Sequence, residues 1–243
     1  MSTALLVVDV QYDFLPGGSL GVAGGDEILP VVRRLLDERS QWKVVVASQD
    51  FHPPGHISFA SSHEDGKVFT AIQIPNVLAG NEPIQQMLWP DHCVQGTRGC
   101  EIDESVRQGF DHWVASGKGF SVQKGLKTEV DAYSAFAPAL CVSSSAFGTN
   151  GTTASEHSPL ASHLLSLGVK KLFVVGIATD YCVRATALDA MKSGCFDAVY
   201  VVREGVRAVG GDEATHKCLE EFNQAGVQFV SMEDEVVRRM LGE

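Results

Sequence analysis

Apolar, β-branched runs recur along the chain, and nearly every one is followed by a segment with helical spacing. This alternation limits the fold more than any other feature. TALLVVDV (3–10) reads as a buried strand. In DEILPVVRRLLDERS (26–40), Ile28, Val31, Val32, Leu35 and Leu36 keep helical spacing, with Asp26 as N-cap and Pro30 in the first turn. KVVVASQ (43–49) is a second strand and HWVASGKG (112–119) a weaker third. A helix near 158–167, a strand at 171–177, a helix at 181–193, a strand at 197–203, a helix at 212–224 and a strand near 227–231 follow. Strands apolar throughout are those buried on both faces. The pattern predicts an α/β fold with three layers, in which a mostly parallel, doubly wound sheet of about six strands lies between helices.

Two segments break the alternation. Residues 53–111 are rich in Pro, Gly and His, with a helical piece at 101–108, and residues 141–157 (CVSSSAFGTNGTTASEH) read as a flexible loop. Neither a repeat nor a boundary is visible, so 1–243 reads as a single domain.

A net charge of −11 argues against nucleic-acid and anionic-membrane partners. MSTALLVVDV lacks the basic start of a signal peptide, and no apolar run approaches a membrane span, so the expectation is a cytoplasmic protein. Six cysteines without a CxxC pair exclude a thiolate zinc site or a disulfide framework as the first expectation.

In parallel sheets, ligands bind at the carboxyl ends of the strands. Asp9 ends the first strand, Asp50 and His52 follow the second, Lys124 follows the third, and Cys182 follows the fourth. Backbone N–H groups at a helix start favour an anion, which suits Cys182 as a thiolate nucleophile. Asp9 can take the thiol proton and later return it to a leaving amine. Lys124 can balance thiolate and carboxylate, with Lys118 and Lys127 as rivals. Asp50, His52, His56 and, from WPDHC, His92 form a set suited to Zn, Fe or Mn, with Ser58 reaching the metal through water. The other histidines (63, 112, 157, 163 and 216) lack such a context and read as surface or structural. Phe14, Trp89 and Tyr133 each stand beside one of these groups and suit a flat ring ligand.

VDVQYDF, PGGSLGVAGG, SQDFHPPGHISF, WPDHCVQGTRG, QKGLKTEVDAYSAF and GIATDYCVRATALDA, in this order, resemble the nicotinamidases of the isochorismatase-like cysteine hydrolase superfamily. The long segment at about 59–88 resembles the fungal-type members. The resemblance implies a Rossmann-like fold and hydrolysis of nicotinamide to nicotinate and ammonia through a cysteine thioester, in NAD salvage. It implies Cys182 as nucleophile, Asp9 as general acid and base, and Lys124 as third catalytic residue. It further implies one divalent metal, zinc before iron or manganese, on Asp50, His52 and His92, with His56 and Ser58 as secondary candidates. A cis peptide at Ile177–Ala178 would aim the Ala178 and Cys182 N–H groups at an oxyanion, and Phe14, Trp89 and Tyr133 would line the ring pocket. The implied partner is the small substrate, and a homo-oligomer is allowed. The alternatives are a superfamily enzyme acting on another small amide or on an enol ether such as isochorismate, and a pyridine-binding homologue without turnover.

Overall fold

The computed structural model describes residues 2–78, 80–138, 141–147 and 157–243. Among the described residues nine strands run in chain order: β1 (Ser2–Val8), β2 (Val44–Asp50), β3 (Ala71–Pro75), β4 (Pro83–Met87), β5 (Gly119–Lys124), β6 (Val142–Ser143), β7 (Val169–Ile177), β8 (Ala198–Arg207) and β9 (Gln228–Val230). The helices are α1 (Leu29–Leu35), α2 (Glu104–Ala115), α3 (Pro159–Ser166), α4 (Arg184–Lys192), α5 (Gly211–Ala225) and α6 (Glu235–Leu241). Seven strands form one sheet in the order β6-β5-β2-β1-β7-β8-β9, parallel except for the β5–β6 edge pair.

Side chains alternate across the strands and feed two cores. On one face Leu6, Val8, Val46, Val174 and Val201 meet Leu160, Leu164, Ala187 and Phe222 from α3, α4 and α5. On the other, Leu5, Val7, Val45 and Phe173 meet Val32, Leu35, Val106, Phe110 and Val237 from α1, α2 and α6. Each buried Val, Leu or Phe side chain among these contributes about 1.5–3 kcal/mol of transfer free energy, which both faces need because neither meets water. No helix among the described residues is long and apolar enough to cross a membrane.

Several expectations need correction. The sheet has seven strands rather than about six, because short β6 adds an edge. The third strand is GFSVQK (119–124), not 112–119. The first half of the latter, 112–115, belongs to α2, where Val106, Phe110 and Trp113 are buried at helical spacing and Asp103 caps the start by accepting the Ser105 N–H. Lys124 is therefore the last residue of a strand. Asp26 is not a helix cap: a 3-10 turn over Gly25–Ile28 leads into α1, which keeps Pro30 in its first turn. The 53–111 segment carries the antiparallel hairpin β3–β4, separate from the main sheet. Of the 141–157 loop, residues 148–156 lie outside the described residues.

Strands β1 and β7 end side by side and approach unusually closely at Gly176. This glycine has φ of 125°, and a Cβ there would lie 1.9 Å from the Val8 carbonyl oxygen. Gly176→Ala is expected to cost about 3 kcal/mol or more, since both strain and backbone overlap oppose it. Urea unfolding reads this directly, and a loss below about 1 kcal/mol would contradict the packing described.

Candidate active site

β7 runs into a five-residue π-turn, Thr179–Val183, before α4 begins. Tyr181 and Val183 both donate their N–H to the Ala178 carbonyl, at 3.1 Å each, and the Ile177–Ala178 peptide is cis. The turn holds Cys182, 5% exposed, at the carboxyl end of the sheet.

Lys124 reaches the same point from β5 and is fully buried. Its Nζ donates to Asp50 Oδ1, lies 2.8 Å from Asp9 Oδ2, and donates to Cys182 Sγ at 3.4 Å. Asp9, also fully buried, accepts the Ser48 hydroxyl at 2.7 Å through Oδ1. Asp9, Asp50 and Cys182 bring a carboxylate oxygen or sulfur within 4.8 Å of one another around this ammonium, so thiol, carboxylates and ammonium form one connected unit. The rivals Lys118 and Lys127 are exposed.

The electrostatics follow from this placement. Burial pushes Asp9 above its ordinary value, against the attraction of Lys124. Burial also pushes the Cys182 thiol well up, again against Lys124. Burial disfavours a charged Lys124, but Asp50 and Asp9 more than offset this and hold it protonated. Asp50 is likewise opposed by burial, yet Lys124 and His52 hold it below the usual carboxylate range. Cys93, Cys100, Cys141 and Cys218 are also pushed up by burial, but none of them donates to or accepts from a lysine as Cys182 does.

Beside this unit, Asp50, His52 and His92 gather ligand atoms within 4.8 Å of one another. His52 Nδ1 lies 3.1 Å from the Gly125 carbonyl and His92 Nδ1 lies 2.7 Å from the Pro90 carbonyl. Each bond fixes Nδ1 as the donor and leaves Nε2 for Asp50 Oδ2, at 3.6 and 3.9 Å. Carbonyl-oriented imidazoles with convergent Nε2 atoms are what a metal ligand set requires. Burial disfavours protonating His52, but Asp50 outweighs it and draws a proton there, where a cation would sit. The group therefore fits a divalent metal.

His56 and Ser58 stand outside this group. His56 Nδ1 meets the Ser58 hydroxyl at 2.8 Å, its Nε2 meets the Val130 carbonyl at 3.2 Å, and its ring stacks on His52. Burial pushes its pKa down to about 4, so it is neutral with both nitrogens engaged. The remaining histidines belong to none of the three-ligand groups found among the described residues.

One cleft opens over these residues. Phe14, Trp89 and Tyr133 line it together with Asp50, His92, Ala178 and Cys182. Trp89 donates its indole N–H to the Tyr133 hydroxyl at 3.2 Å. Sequence reasoning missed Tyr181, which meets Trp89 edge-on at 4.8 Å, and Leu20, Val22 and Val209. Val209 lies just past β8, so the rule that selected the other strand ends points to it too.

The geometry can be compared with known proteins. The family model described as isochorismatase domain matches residues 3–234. A nicotinamidase of Acinetobacter baylyi is 35% identical over 94% of this chain and 92% of its own. The crystal structure of the yeast nicotinamidase bound to the inhibitor nicotinaldehyde is 28% identical, with TM-score 0.78 over 94% of this chain and 99% of that one. A pyrazinamidase of Pyrococcus horikoshii in complex with zinc is 32% identical, with TM-score 0.67 over 95% and 99%. Bacterial, archaeal and yeast relatives are thus comparably similar, and the likeness does not favour the fungal type.

Proposed function

The chain belongs to the isochorismatase-domain family, and from that premise we propose that it is a nicotinamidase, a cysteine amidohydrolase converting nicotinamide to nicotinate and ammonia in NAD salvage. The observation that carries this reading is the single cleft where Cys182, Asp50 and His92 meet three aromatic side chains suited to a flat ring.

The mechanism follows from the connected unit. Asp9 takes the proton of Cys182, and the thiolate attacks the carboxamide carbon. Burial raises both groups, which keeps Asp9 a stronger base than a solvated carboxylate, while Lys124 offsets the negative charge shared between them. The Ala178 and Cys182 N–H groups receive the oxyanion, and one such donor contributes roughly 3–4 kcal/mol to the transition state. Asp9 protonates the departing ammonia, then activates a water that hydrolyses the thioester. Phe14, Trp89 and Tyr133 hold the ring. Asp50, His52 and His92 would hold a divalent metal, zinc before iron or manganese, which supplies an electrophilic contact for the pyridine nitrogen and so orients the ring.

The test is ammonia release from nicotinamide by the purified protein. Absence of release from folded, metal-loaded protein overturns the reading. Removing the metal is expected to weaken nicotinamide binding much more than benzamide binding, because benzamide lacks the ring nitrogen. Calorimetry on chelated protein measures both, and equal losses would contradict the orienting role.

A further inference from the structure

We propose that Gln11 is a positioning residue for the metal centre: its carboxamide stands in for a missing strand and fixes the backbone of Asp50. β1 pairs with β2 only as far as Val8 beside Ser48. Asp9 still donates its N–H to the Ser48 carbonyl at 3.2 Å, but it adopts φ of 50° and the chain turns out of the sheet. In a continuing parallel ladder, the Asp9 carbonyl would accept the Asp50 N–H, and the backbone N–H of residue 11 would bond the Asp50 carbonyl. Here the Asp9 carbonyl instead accepts the Gln11 N–H, at 2.9 Å.

The Gln11 side chain makes both missing bonds. Its Oε1 accepts the Asp50 N–H at 2.8 Å, and its Nε2 donates to the Asp50 carbonyl at 2.8 Å. The second Nε2 proton goes to the Cys100 carbonyl at 2.7 Å. Gln11 is fully buried. Buried polar side chains persist where every donor is used, and both Nε2 protons and Oε1 are used here.

The consequence lies in the Asp50 carboxylate. A two-torsion side chain points where its backbone directs it. Asp50 is the last residue of β2, held on the β5 side by the ladder and by the Phe51 N–H to the Lys124 carbonyl. On the β1 side Gln11 supplies the pairing. With both sides fixed, Oδ1 meets Lys124 while Oδ2 faces His52 and His92. Gln11 thus acts on the metal through Asp50. The inference rests on the reading of Asp50, His52 and His92 as metal ligands.

Zinc affinity, measured by chelator competition on the folded full-length chain, tests it. Gln11→Met removes all three bonds at similar length. Gln11→Glu keeps the shape and the acceptor for the Asp50 N–H and loses both donors, so the two variants disturb the fold in different ways. Trp42→Phe serves as control: it loses a buried bond to the Leu35 carbonyl under α1, away from the site. Both Gln11 variants are expected to bind zinc about 10–100-fold more weakly, with kcat on nicotinamide recovering in excess zinc. Trp42→Phe is expected to melt earlier at unchanged zinc affinity. Wild-type zinc affinity in a folded Gln11 variant overturns the proposal. An equal affinity loss in Trp42→Phe overturns it too, since affinity would then merely track stability. Zinc binding that is equal in wild type and Asp50→Ala overturns the ligand reading and this inference with it.

Discussion

Replacing Cys182 with alanine is expected to abolish ammonia release from nicotinamide, on the order of 10⁴-fold or more in kcat, while leaving the chain folded. The two halves of this expectation have separate grounds. Activity is lost because no other group can form the acyl intermediate: Asp9 is committed to Lys124 and Ser48, and the rest of the cleft lining is aromatic or aliphatic, or belongs to the group of Asp50 and His92 that fits a metal. Stability is kept because Lys124 loses only its 3.4 Å bond to sulfur and retains Asp9 and Asp50. A change within about 1 kcal/mol is therefore expected in urea unfolding. Cys182→Ser separates nucleophilicity from hydrogen bonding. A serine hydroxyl can still accept from Lys124, but it is a far weaker nucleophile, so this variant should bind nicotinamide and turn it over barely. A Cys182→Ala protein that releases ammonia at the wild-type rate would sink the mechanism.

What the sequence made legible, and what it hid, follows the same physics. β1, β2, β7 and β8 were readable because strands buried on both faces are unbroken apolar runs. β5 was not. Its burial alternates, and the last of its buried positions is a lysine, which reads as a surface or loop residue until its partners are known. Those partners, Asp9, Asp50 and Cys182, come from three other segments. Asp9 and Cys182 declared themselves as polar groups at the ends of apolar strands. Gln11 did not, because its role is to bond Asp50 and Cys100, 39 and 89 positions away. Tyr181 stayed hidden beside Cys182 because an aromatic at a helix start reads as ordinary core until Trp89 is seen against it. In the segment from Asp9 to Phe14, Asp9 and Phe14 were thus legible, and Gln11 between them, whose carboxamide bonds both backbone groups of Asp50, was not.

Lys124→Met is expected to cost about 3–5 kcal/mol at neutral pH and to reduce turnover as severely as loss of the nucleophile. Methionine fills the volume but leaves Asp9 and Asp50 buried without their shared cation. Part of the penalty can be relieved by a proton. Asp9 already sits above its ordinary value of 3.8 because of burial, and losing Lys124 removes the attraction that opposed that rise. A carboxyl whose folded pKa exceeds its unfolded one binds more protons in the folded state, so stability falls as pH rises from the unfolded pKa through the folded one. The deficit of Lys124→Met should thus be smaller at pH 5 than at pH 8, as read by urea unfolding of variant and wild type at both. A deficit independent of pH would mean that Asp9 does not carry the penalty. Adding Asp9→Asn to the variant gives the complementary result. With that carboxylate neutralised, stability should recover in part, Asp50 still lacking Lys124, while ammonia release stays absent, because the cation and the base are then both gone. Recovery of the fold without recovery of turnover is what distinguishes a catalytic unit held together by Lys124 from a core that merely needs its charges paired.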